Sequence, residues 1–446
     1  MRERLFYETT VFKRDQKCVS KGEVLFVPDV DVENNVINIY PSVRGQKFEG
    51  FGGAFTDSAG YVYAQMDDED RRKLIHTYFD TDEMNYRLGR IHLDSCDFSM
   101  EQYEAMSDPE DKEMESFSLE RAFQYVMPLL RDVEAVSGRK VELMISPWSP
   151  PAFMKTNGER VHGGSLKEEY RGWWAQYICR YIRKLREAGC RITRMSLQNE
   201  PAAVQTWDSC VYTAEQEKEF LRDFLYPALQ EHGLDDIEIF IWDHNKERVF
   251  ERACKIIDET TDHMITGLAF HWYSGDHFEA LSYVRDRFPG KKLILSEACI
   301  EYSKYSADDY LANAQKYAHD IIGNLNQGMT AFYDWNLLLD ETGGPNHVGN
   351  FCDAPYLYDT KEKKLLERNT LSYIRHFSHF IQPGATWIGT SRYTDEIDAT
   401  AFEKPDGVIQ AVLLNREKEE KNVKLRIEGM VAKICLPAES ITTVTI

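Results

Sequence analysis

Two glutamates stand where short apolar runs end, and such positions suit acid–base chemistry. Glu200 follows an apolar run at residues 192–197, and Glu297 follows another at residues 292–295. Both runs have the composition and length of β-strands. Glutamate is disfavoured inside strands, so a glutamate at a strand end calls for an explanation. Three interpretations apply to each glutamate: a solvated residue at the start of a loop, a partner in a structural ion pair, or a catalytic carboxylate.

Two carboxylates of this kind suit hydrolysis of a glycosidic bond, and the distance between them selects the stereochemical course. A separation of about 5 to 5.5 Å suits a retaining reaction, whereas roughly 6.5 to 9.5 Å leaves room for the attacking water of an inverting one. The sequence by itself leaves both separations open.

The segment from about residue 49 to 378 alternates short apolar runs with longer amphipathic stretches, which is typical of repeated βα units. Eight runs qualify as strands: residues 52–55, 88–93, 141–145, 195–197, 237–241, 267–270, 293–295 and 330–333. Eight units predict an α/β fold, a (β/α)₈ TIM barrel. Because catalytic groups project from the C-terminal ends of barrel strands, we expect Glu200 and Glu297, after strands four and seven, to face each other across the barrel mouth.

The sequence predicts two helices beside the fourth strand. Apolar residues from Trp174 to Leu185 recur at helical spacing, and the helix pattern closes at Gly189. Further along, Thr213-Ala214-Glu215-Gln216 has the form of a capping box and predicts a helix start.

The periodicity changes after about residue 379. Residues 399–402 and 408–414 flank the turn Pro405-Asp406-Gly407 and predict a hairpin, and residues 423–427 and 441–446 predict further strands. Runs at residues 23–27 and 36–40 predict strands near the N-terminus. We therefore predict a catalytic barrel over residues 49–378 and an appended antiparallel β-sandwich built from residues 1–48 and 379–446.

The amino-acid composition limits the classes of molecule that the protein can bind. The 446-residue chain carries a formal charge of −21, so its field repels nucleic acid and anionic lipid, while 12% aromatic residues suit stacking on sugars. Nine scattered cysteines without a Cys-x-x-Cys pair indicate reduced thiols and no zinc site. No signal-peptide pattern and no membrane-spanning apolar run is present, so we expect a cytoplasmic protein. The sequence leaves the oligomeric state open.

Nine short segments, in order, resemble glycoside hydrolase family 30, in particular its glucosylceramidase-like branch: Phe51-Gly52-Gly53-Ala54-Phe55-Thr56-Asp57, Ser95-Cys96-Asp97-Phe98-Ser99, Ser146-Pro147-Trp148-Ser149-Pro150-Pro151, Lys155-Thr156-Asn157-Gly158, Asn199-Glu200-Pro201, His271-Trp272-Tyr273, Ser296-Glu297-Ala298-Cys299, Asp334-Trp335-Asn336 and Gly343-Gly344-Pro345-Asn346. The resemblance implies a (β/α)₈ barrel with a β-sandwich, acting on β-linked sugars with retention and without a cofactor or metal. It assigns Glu200 as general acid/base and Glu297 as nucleophile.

The resemblance also implies roles for seven substrate-binding positions: Asp57, Trp148, Asn199, His271, Tyr273, Trp335 and Asn350. Asp57 and Trp148 would hold the glycone, and Asn199 would donate to the sugar 2-hydroxyl. His271 and Tyr273 would orient Glu297.

Several of these residues also have a purely structural interpretation. Asp57 has the type of a turn or cap residue, Trp335 of a core residue, and Trp272 is as well suited to the core as to the wall on the leaving-group side. Asp243-His244 could suggest a metal site, but no third ligand follows at usable spacing. Trp207, Asp208 and Asp243 lie in loops that could line the leaving-group side.

The main hypothesis is a glucosylceramidase-like enzyme that removes terminal β-glucosyl residues. The substrate alternatives are β-1,6-glucan or gentio-oligosaccharides, β-xylosides and β-fucosides, since the pattern at Asp243-His244 differs from that of the lysosomal glucosylceramidases. Rivals of another class are a sugar-binding barrel without catalysis and a metal-dependent hydrolase.

Overall fold

The computed structural model describes residues 3–14 and 16–446. Four strands precede the barrel: β1 (Arg4–Lys13), β2 (Gln16–Leu25), β3 (Val27–Pro28) and β4 (Val36–Lys47). β1 and β2 form an antiparallel pair.

Eight parallel strands then close into a barrel: β5 (Gly50–Ala54), β6 (Leu88–Leu93), β7 (Glu142–Pro147), β8 (Arg191–Ser196), β9 (Glu238–Asn245), β10 (Gly267–His271), β11 (Lys292–Glu297) and β12 (Met329–Asn336). β12 pairs with β5 and completes the ring. Each strand overlaps one of the eight predicted runs, so the predicted (β/α)₈ barrel is confirmed. The runs are apolar because strands of a closed barrel are covered on both faces.

The barrel interior is filled. Side chains from six of the strands pack into one buried cluster there: Leu88, Met144, Phe240, Ala269, Ile294, Ala331 and Tyr333. A filled barrel is a rigid support, so the site lies at its C-terminal end, on the strand ends and the loops that follow them.

The helices surround the barrel: α1 (Asp57–Ala64), α2 (Asp68–Phe79), α3 (Glu120–Ser137), α4 (Arg171–Glu187), α5 (Ala214–Glu219), α6 (Tyr226–Glu231), α7 (Val249–Ile256), α8 (Phe278–Arg287), α9 (Tyr310–Asn326) and α10 (Asn369–Ser378). The predicted apolar face of α4, from Trp174 to Leu185, is buried. The Thr213 capping box is present, and a π-helical segment, Phe220–Leu225, joins α5 to α6. Among the described residues, every helix is too short or too polar to span a bilayer.

The remaining strands are β13 (Leu339–Asp340), β14 (Tyr356–Asp359), β15 (Lys364–Glu367), β16 (Thr386–Arg392), β17 (Ile397–Glu403), β18 (Ile409–Asn415), β19 (Lys421–Ile427), β20 (Met430–Leu436) and β21 (Ser440–Thr445). The first three form a small separate sheet. The last six join β1 to β4 in one ten-stranded sheet, in which β1 pairs with β21 and β4 with β16.

This sheet folds back on itself, since β2 and β20 touch although they lie far apart in strand order. Its strands enclose a separate apolar core that includes Leu5, Ile39, Leu413 and Leu425. The prediction of a β-sandwich built from both chain termini, with the hairpin at Pro405-Asp406-Gly407, is confirmed.

Candidate active site

A cavity of about 140 Å³ lies at the C-terminal ends of the barrel strands, where both Glu200 and Glu297 line it. Glu297 is the last residue of β11, and Glu200 lies in the loop after β8. Oε1 of each carboxylate lies close to the same atom, Nδ1 of His271, at 3.4 Å for Glu200 and 4.0 Å for Glu297. The barrel therefore brings the two predicted carboxylates to one site.

Glu297 is held by two donors. Arg90 Nη1 donates to its Oε2 at 2.6 Å, and Tyr273 Oη donates to its Oε1 at 2.9 Å. Burial raises the pKa of Glu297, and the cations His271 and Arg90 oppose that rise. Two donors and a fixed cation are what a buried carboxylate needs to carry a negative charge.

Arg90, which sequence reasoning missed, is the central cation of the site. It projects from β6, is fully buried, and donates from Nη2 to Asn199 Oδ1 and Asp243 Oδ2, both at 2.9 Å. Its guanidinium carbon lies 4.9 Å from the ring centre of Trp148. The available signal was an arginine inside the apolar run at residues 88–93, because a charge is rarely buried without paired carboxylates.

Asp243 was expected on the leaving-group side, but the structure places it beneath the cavity floor. It is fully buried and accepts hydrogen bonds from Arg90, from three serine hydroxyls and from the His271 ring; the serines are Ser146, Ser196 and Ser296. Burial alone would raise its pKa, yet Arg90 and His271 hold the pKa of Asp243 well below its usual range. Asp243 thus connects the arginine on Glu297 to the imidazole beside Glu200.

Glu200 faces two imidazoles. Its Oε1 lies 3.4 Å from His271 Nδ1 and 3.6 Å from His244 Nε2. Burial opposes its ionisation, but the neighbouring His271 and His244 rings lower the pKa of Glu200 to about 2. Burial likewise opposes the charge on His271, yet Glu297, Asp243 and Glu200 raise its pKa to about 9. Glu200 and His271 therefore hold one proton between them, and it lies on the imidazole.

The cavity is lined by aromatic and by polar side chains. Trp148 and Trp335 stack at a centroid distance of 5.5 Å and both line the cavity, together with Asn199 and Asn350. Asn350 Nδ2 donates to Asp97 Oδ2 at 3.0 Å, while Asp97 Oδ1 is buried and has no hydrogen-bond partner within the described part of the chain. Sequence reasoning quoted Asp97 within a motif but gave it no role; the structure places it on the cavity wall.

Asp57 is not brought to the cavity, which corrects the expectation that it binds the glycone. It is fully buried, and its carboxylate accepts two hydrogen bonds from Arg121, at 2.9 and 2.8 Å, and one from the Met100 amide at 2.9 Å. Because its carboxylate already accepts three hydrogen bonds from the protein, Asp57 has a structural role, and Asp97 is a carboxylate that does line the cavity.

The predictions for Trp207, Asp208 and Trp272 have different outcomes. Trp207 lines the cavity, whereas Asp208 is buried against Arg160. Trp272 is buried, and its Nε1 donates to the Cys299 carbonyl at 3.1 Å, so the core alternative applies to it. No group of three or more His, Cys, Asp or Glu side chains suited to a metal ion occurs within residues 3–14 and 16–446.

Comparison with known proteins identifies the family. Residues 48–381 match the glycosyl hydrolase family 30 TIM-barrel domain, and residues 384–444 match the family 30 beta sandwich domain. The chain is 30% identical over 405 residues to the lysosomal acid glucosylceramidase of Mus musculus, covering 86% of this chain and 78% of that protein. Among solved structures, SrfJ from Salmonella typhimurium has a TM-score of 0.95 at 35% identity, and the endo-β1,6-glucanase BT3312 has a TM-score of 0.87 at 25% identity, each covering 99% of both chains. The chain belongs to glycoside hydrolase family 30 and is a glycoside hydrolase.

Proposed function

We propose that this protein is a retaining β-glycosidase that removes terminal β-glucosyl residues, with Glu297 as nucleophile and Glu200 as general acid/base. The observation that carries the proposal is the unequal surroundings of two adjacent carboxylates. Glu297 is fixed by Arg90 and Tyr273, as suits an ionised nucleophile, and Glu200 faces an imidazole that carries a proton.

In the first step, Glu297 attacks the anomeric carbon while Glu200 protonates the departing oxygen. The proton is available because His271 Nδ1 faces Glu200 Oε1, so a short transfer makes Glu200 the acid. Asp243 holds the other ring nitrogen, at 3.1 Å, and fixes the orientation of the imidazole.

In the second step, Glu200 takes a proton from water, and that water releases the sugar from Glu297. Formation of the glycosyl ester removes the charge of Glu297, so Glu200 loses a neighbouring negative charge and ionises more readily. Arg90 and Tyr273 then stabilise the carboxylate as it leaves the anomeric carbon.

A single buried sugar unit fits the cavity. Its volume, about 140 Å³, is below the ~300–1,000 Å³ of sites for drug-sized ligands. Asp97 Oδ1 offers a free acceptor for a ring hydroxyl, Asn199 lies beside the nucleophile, and Trp148 supplies an aromatic wall.

The mechanism is tested by removing each carboxylate and adding azide to an activated aryl β-glucoside. Glu297→Gly leaves a space for azide at the anomeric carbon, so we expect loss of hydrolysis and formation of the α-glucosyl azide. Glu200→Ala retains the nucleophile, so we expect the β-glucosyl azide instead. Product anomers are read by proton NMR.

The two variants control for one another, because both remove a carboxylate from the same cavity. Identical azide anomers from both, or unchanged hydrolysis in Glu297→Gly, would contradict the assignment. In wild type the first product should be β-glucose, as retention requires.

A second candidate substrate, a β-1,6-linked gluco-oligosaccharide, is favoured by the polarity of the leaving-group side. Beyond Glu200 the cavity is lined by Gln205, His244, Asn245, Glu301 and Lys304. These side chains suit the hydroxyls of a second sugar better than the chains of a lipid. Both activities occur in the names of relatives, as glucosylceramidase and as endo-β1,6-glucanase.

We therefore expect gentiobiose to be hydrolysed with a higher kcat/KM than glucosylceramide presented in detergent micelles. An aryl β-glucoside serves as the common reference, and aryl β-xyloside and β-fucoside test the glycone. A preference for glucosylceramide would overturn the polar leaving group while leaving the retaining mechanism intact.

A further inference from the structure

Two cysteines lie side by side in the wall of the catalytic cavity. Cys299 follows the nucleophile position by two residues, and Cys352 lies in the loop between β13 and β14. Both line the cavity, both are buried at 5% and 1% exposure, and both belong to one buried cluster in the cavity wall. All nine cysteines of the chain are free thiols in the structure.

The backbone holds these two segments together. Glu301 and Cys352 form an isolated antiparallel bridge, the amide of Asp353 donates to the Ile300 carbonyl at 2.8 Å, and the amide of Tyr302 donates to Phe351 at 3.0 Å. Cys299 therefore lies just before one of the two paired segments, and Cys352 lies within the other. Because this bridge holds the two segments side by side, a disulfide between their thiols needs no large backbone shift.

The pair is connected to the catalytic groups. Cys299 Sγ lies 3.3 Å from Tyr273 Oη, the hydroxyl that donates to Glu297 at 2.9 Å. On the other side, Asn336 Nδ2 donates to Cys352 Sγ at 3.7 Å. A change at these sulfurs therefore reaches the nucleophile through one tyrosine.

We propose that Cys299 and Cys352 are a modification site at which a peroxide forms a reversible disulfide and thereby stops turnover. A small peroxide can reach the pair through the sugar cavity, since both residues line it. Reduced thiols that meet in a working cavity are typical of sites whose oxidation is regulatory and not structural.

Cys352 is the thiol that reacts first, because Asn336 Nδ2 donates a hydrogen bond to its Sγ and stabilises its thiolate. The thiolate attacks a peroxide oxygen, the O–O bond breaks, and Cys352 becomes a sulfenic acid while hydroxide leaves. Cys299 then attacks that sulfur, an S–S bond forms, and the sulfenic oxygen leaves as water. In total, two thiols and one hydrogen peroxide give one disulfide and two waters.

The disulfide removes a contact that the nucleophile depends on. Cys299 Sγ, drawn to Cys352, no longer contacts Tyr273 Oη, and the tyrosine loses one of its two partners. The bond also joins the chain after Glu297 to the loop that carries Asn350, on the sugar wall. A displacement of about 1 Å in such groups costs roughly a hundredfold in rate.

The reaction is slow at neutral pH. Burial raises the pKa of both thiols, so the thiolate is scarce. Inactivation should therefore accelerate as the pH rises, and millimolar peroxide over minutes to hours suits the assay better than a brief pulse.

The test treats the fully reduced enzyme with hydrogen peroxide and follows activity and peptide masses together. We expect kcat/KM for an aryl β-glucoside to fall by roughly tenfold or more, a Cys299–Cys352 peptide lighter by two hydrogen atoms to appear in parallel, and dithiothreitol to reverse both. Cys352→Ser and, separately, Cys299→Ser should retain the larger part of their own untreated activity. Cys210→Ser, which removes a buried cysteine outside the cavity lining, should remain as sensitive as wild type.

Inactivation without the linked peptide overturns the proposal, and so does equal sensitivity of wild type and Cys352→Ser. A linked peptide in an enzyme that keeps full activity also overturns it, since the bond would then lack an effect on turnover. The mass measurement does not depend on the substrate, so failure of the glucoside assignment is distinguishable from failure of this proposal.

Discussion

Glu200 faces two imidazoles, of which only one is anchored. His271 donates through Nε2 to Asp243, whereas His244 Nδ1 is buried without a hydrogen-bond partner among the described residues. The His244 ring packs on Trp242 at a centroid distance of 5.1 Å, and it lines the cavity. In the proposed mechanism His271 therefore supplies the proton, and His244 changes how tightly Glu200 holds it.

Replacing His244 should change the pH dependence of the reaction. In His244→Phe the ring packing on Trp242 is retained, but the group that lowers the pKa of Glu200 is lost. Because the acid then keeps its proton to higher pH, the basic limb of the kcat/KM profile should move upward, by up to about one pH unit. The measurement is a full pH profile with an aryl β-glucoside.

The matched control is His263→Phe, which alters a histidine packed on Tyr226, away from the cavity. Its profile should coincide with that of wild type. An unmoved basic limb in His244→Phe, or a shift to lower pH, would show that His244 does not act on Glu200.

The strands position these residues through irregularities. Pairing of β9 with β10 skips Asp243, and pairing of β10 with β11 skips Ser296, so each is a bulge residue. Ser296 Oγ donates to Asp243 Oδ1 at 2.5 Å, which joins the two bulges beneath the cavity. Bulges redirect side chains at barrel rims, and here they bring a carboxylate and a hydroxyl together.

Unusual backbone angles also occur at these positions, in the loop after β8 and in β9. Glu200, Trp242 and Asp243 have φ of 49°, 75° and 49°, in the left-handed region that residues with a Cβ rarely adopt. Each such residue costs roughly 1–3 kcal/mol, so the surrounding contacts must hold it in place. The Glu200 amide donates to the Asp243 carbonyl at 2.9 Å, which ties the acid/base loop to β9.

The two domains meet at an interface that contains two histidines of opposite character. His319 on α9 hydrogen-bonds to Asp398 on β17 at 2.8 Å, and its pKa is raised, chiefly by that contact. His376 on α10 lies between Thr443 and Thr10, each at 2.8 Å, and burial lowers its pKa to about 3. The interface therefore favours a charged His319 and a neutral His376.

These shifts predict opposite effects of pH on stability. His319 binds its proton more tightly when folded, so its contribution is complete below pH ~6.5 and is lost as the pH rises through the raised pKa. His376 binds its proton more weakly when folded, so its contribution is complete above pH ~6.5 and declines as the pH falls towards its lowered pKa.

Urea unfolding of His319→Gln and wild type across the pH range measures the first effect. The difference in unfolding free energy should be larger at pH 6 than at pH 9, because only the protonated ring attracts Asp398. A constant difference for His319→Gln would contradict the charged state.

Much of this protein could be predicted from its sequence. The eight barrel strands, the apolar face of α4, the Thr213 cap and the β-rich terminal segments depend on local periodicity and turn chemistry, which neighbouring residues determine. The strand-end positions of Glu200 and Glu297 followed from the same pattern, because the barrel topology then places them at one mouth.

Other features depended on contacts between residues far apart in the chain. Arg90 meets Glu297 across 207 positions, and Asp97 takes the cavity place expected of Asp57, whose carboxylate is occupied by Arg121. The contact of Cys299 with Cys352 likewise joins separate loops. Local sequence pattern carries no information on such long-range contacts. The closure of the barrel and the register of its strands determine which side chains contact one another. The sequence therefore determined which elements form and where the carboxylates stand, and only the tertiary structure decided which residues surround them.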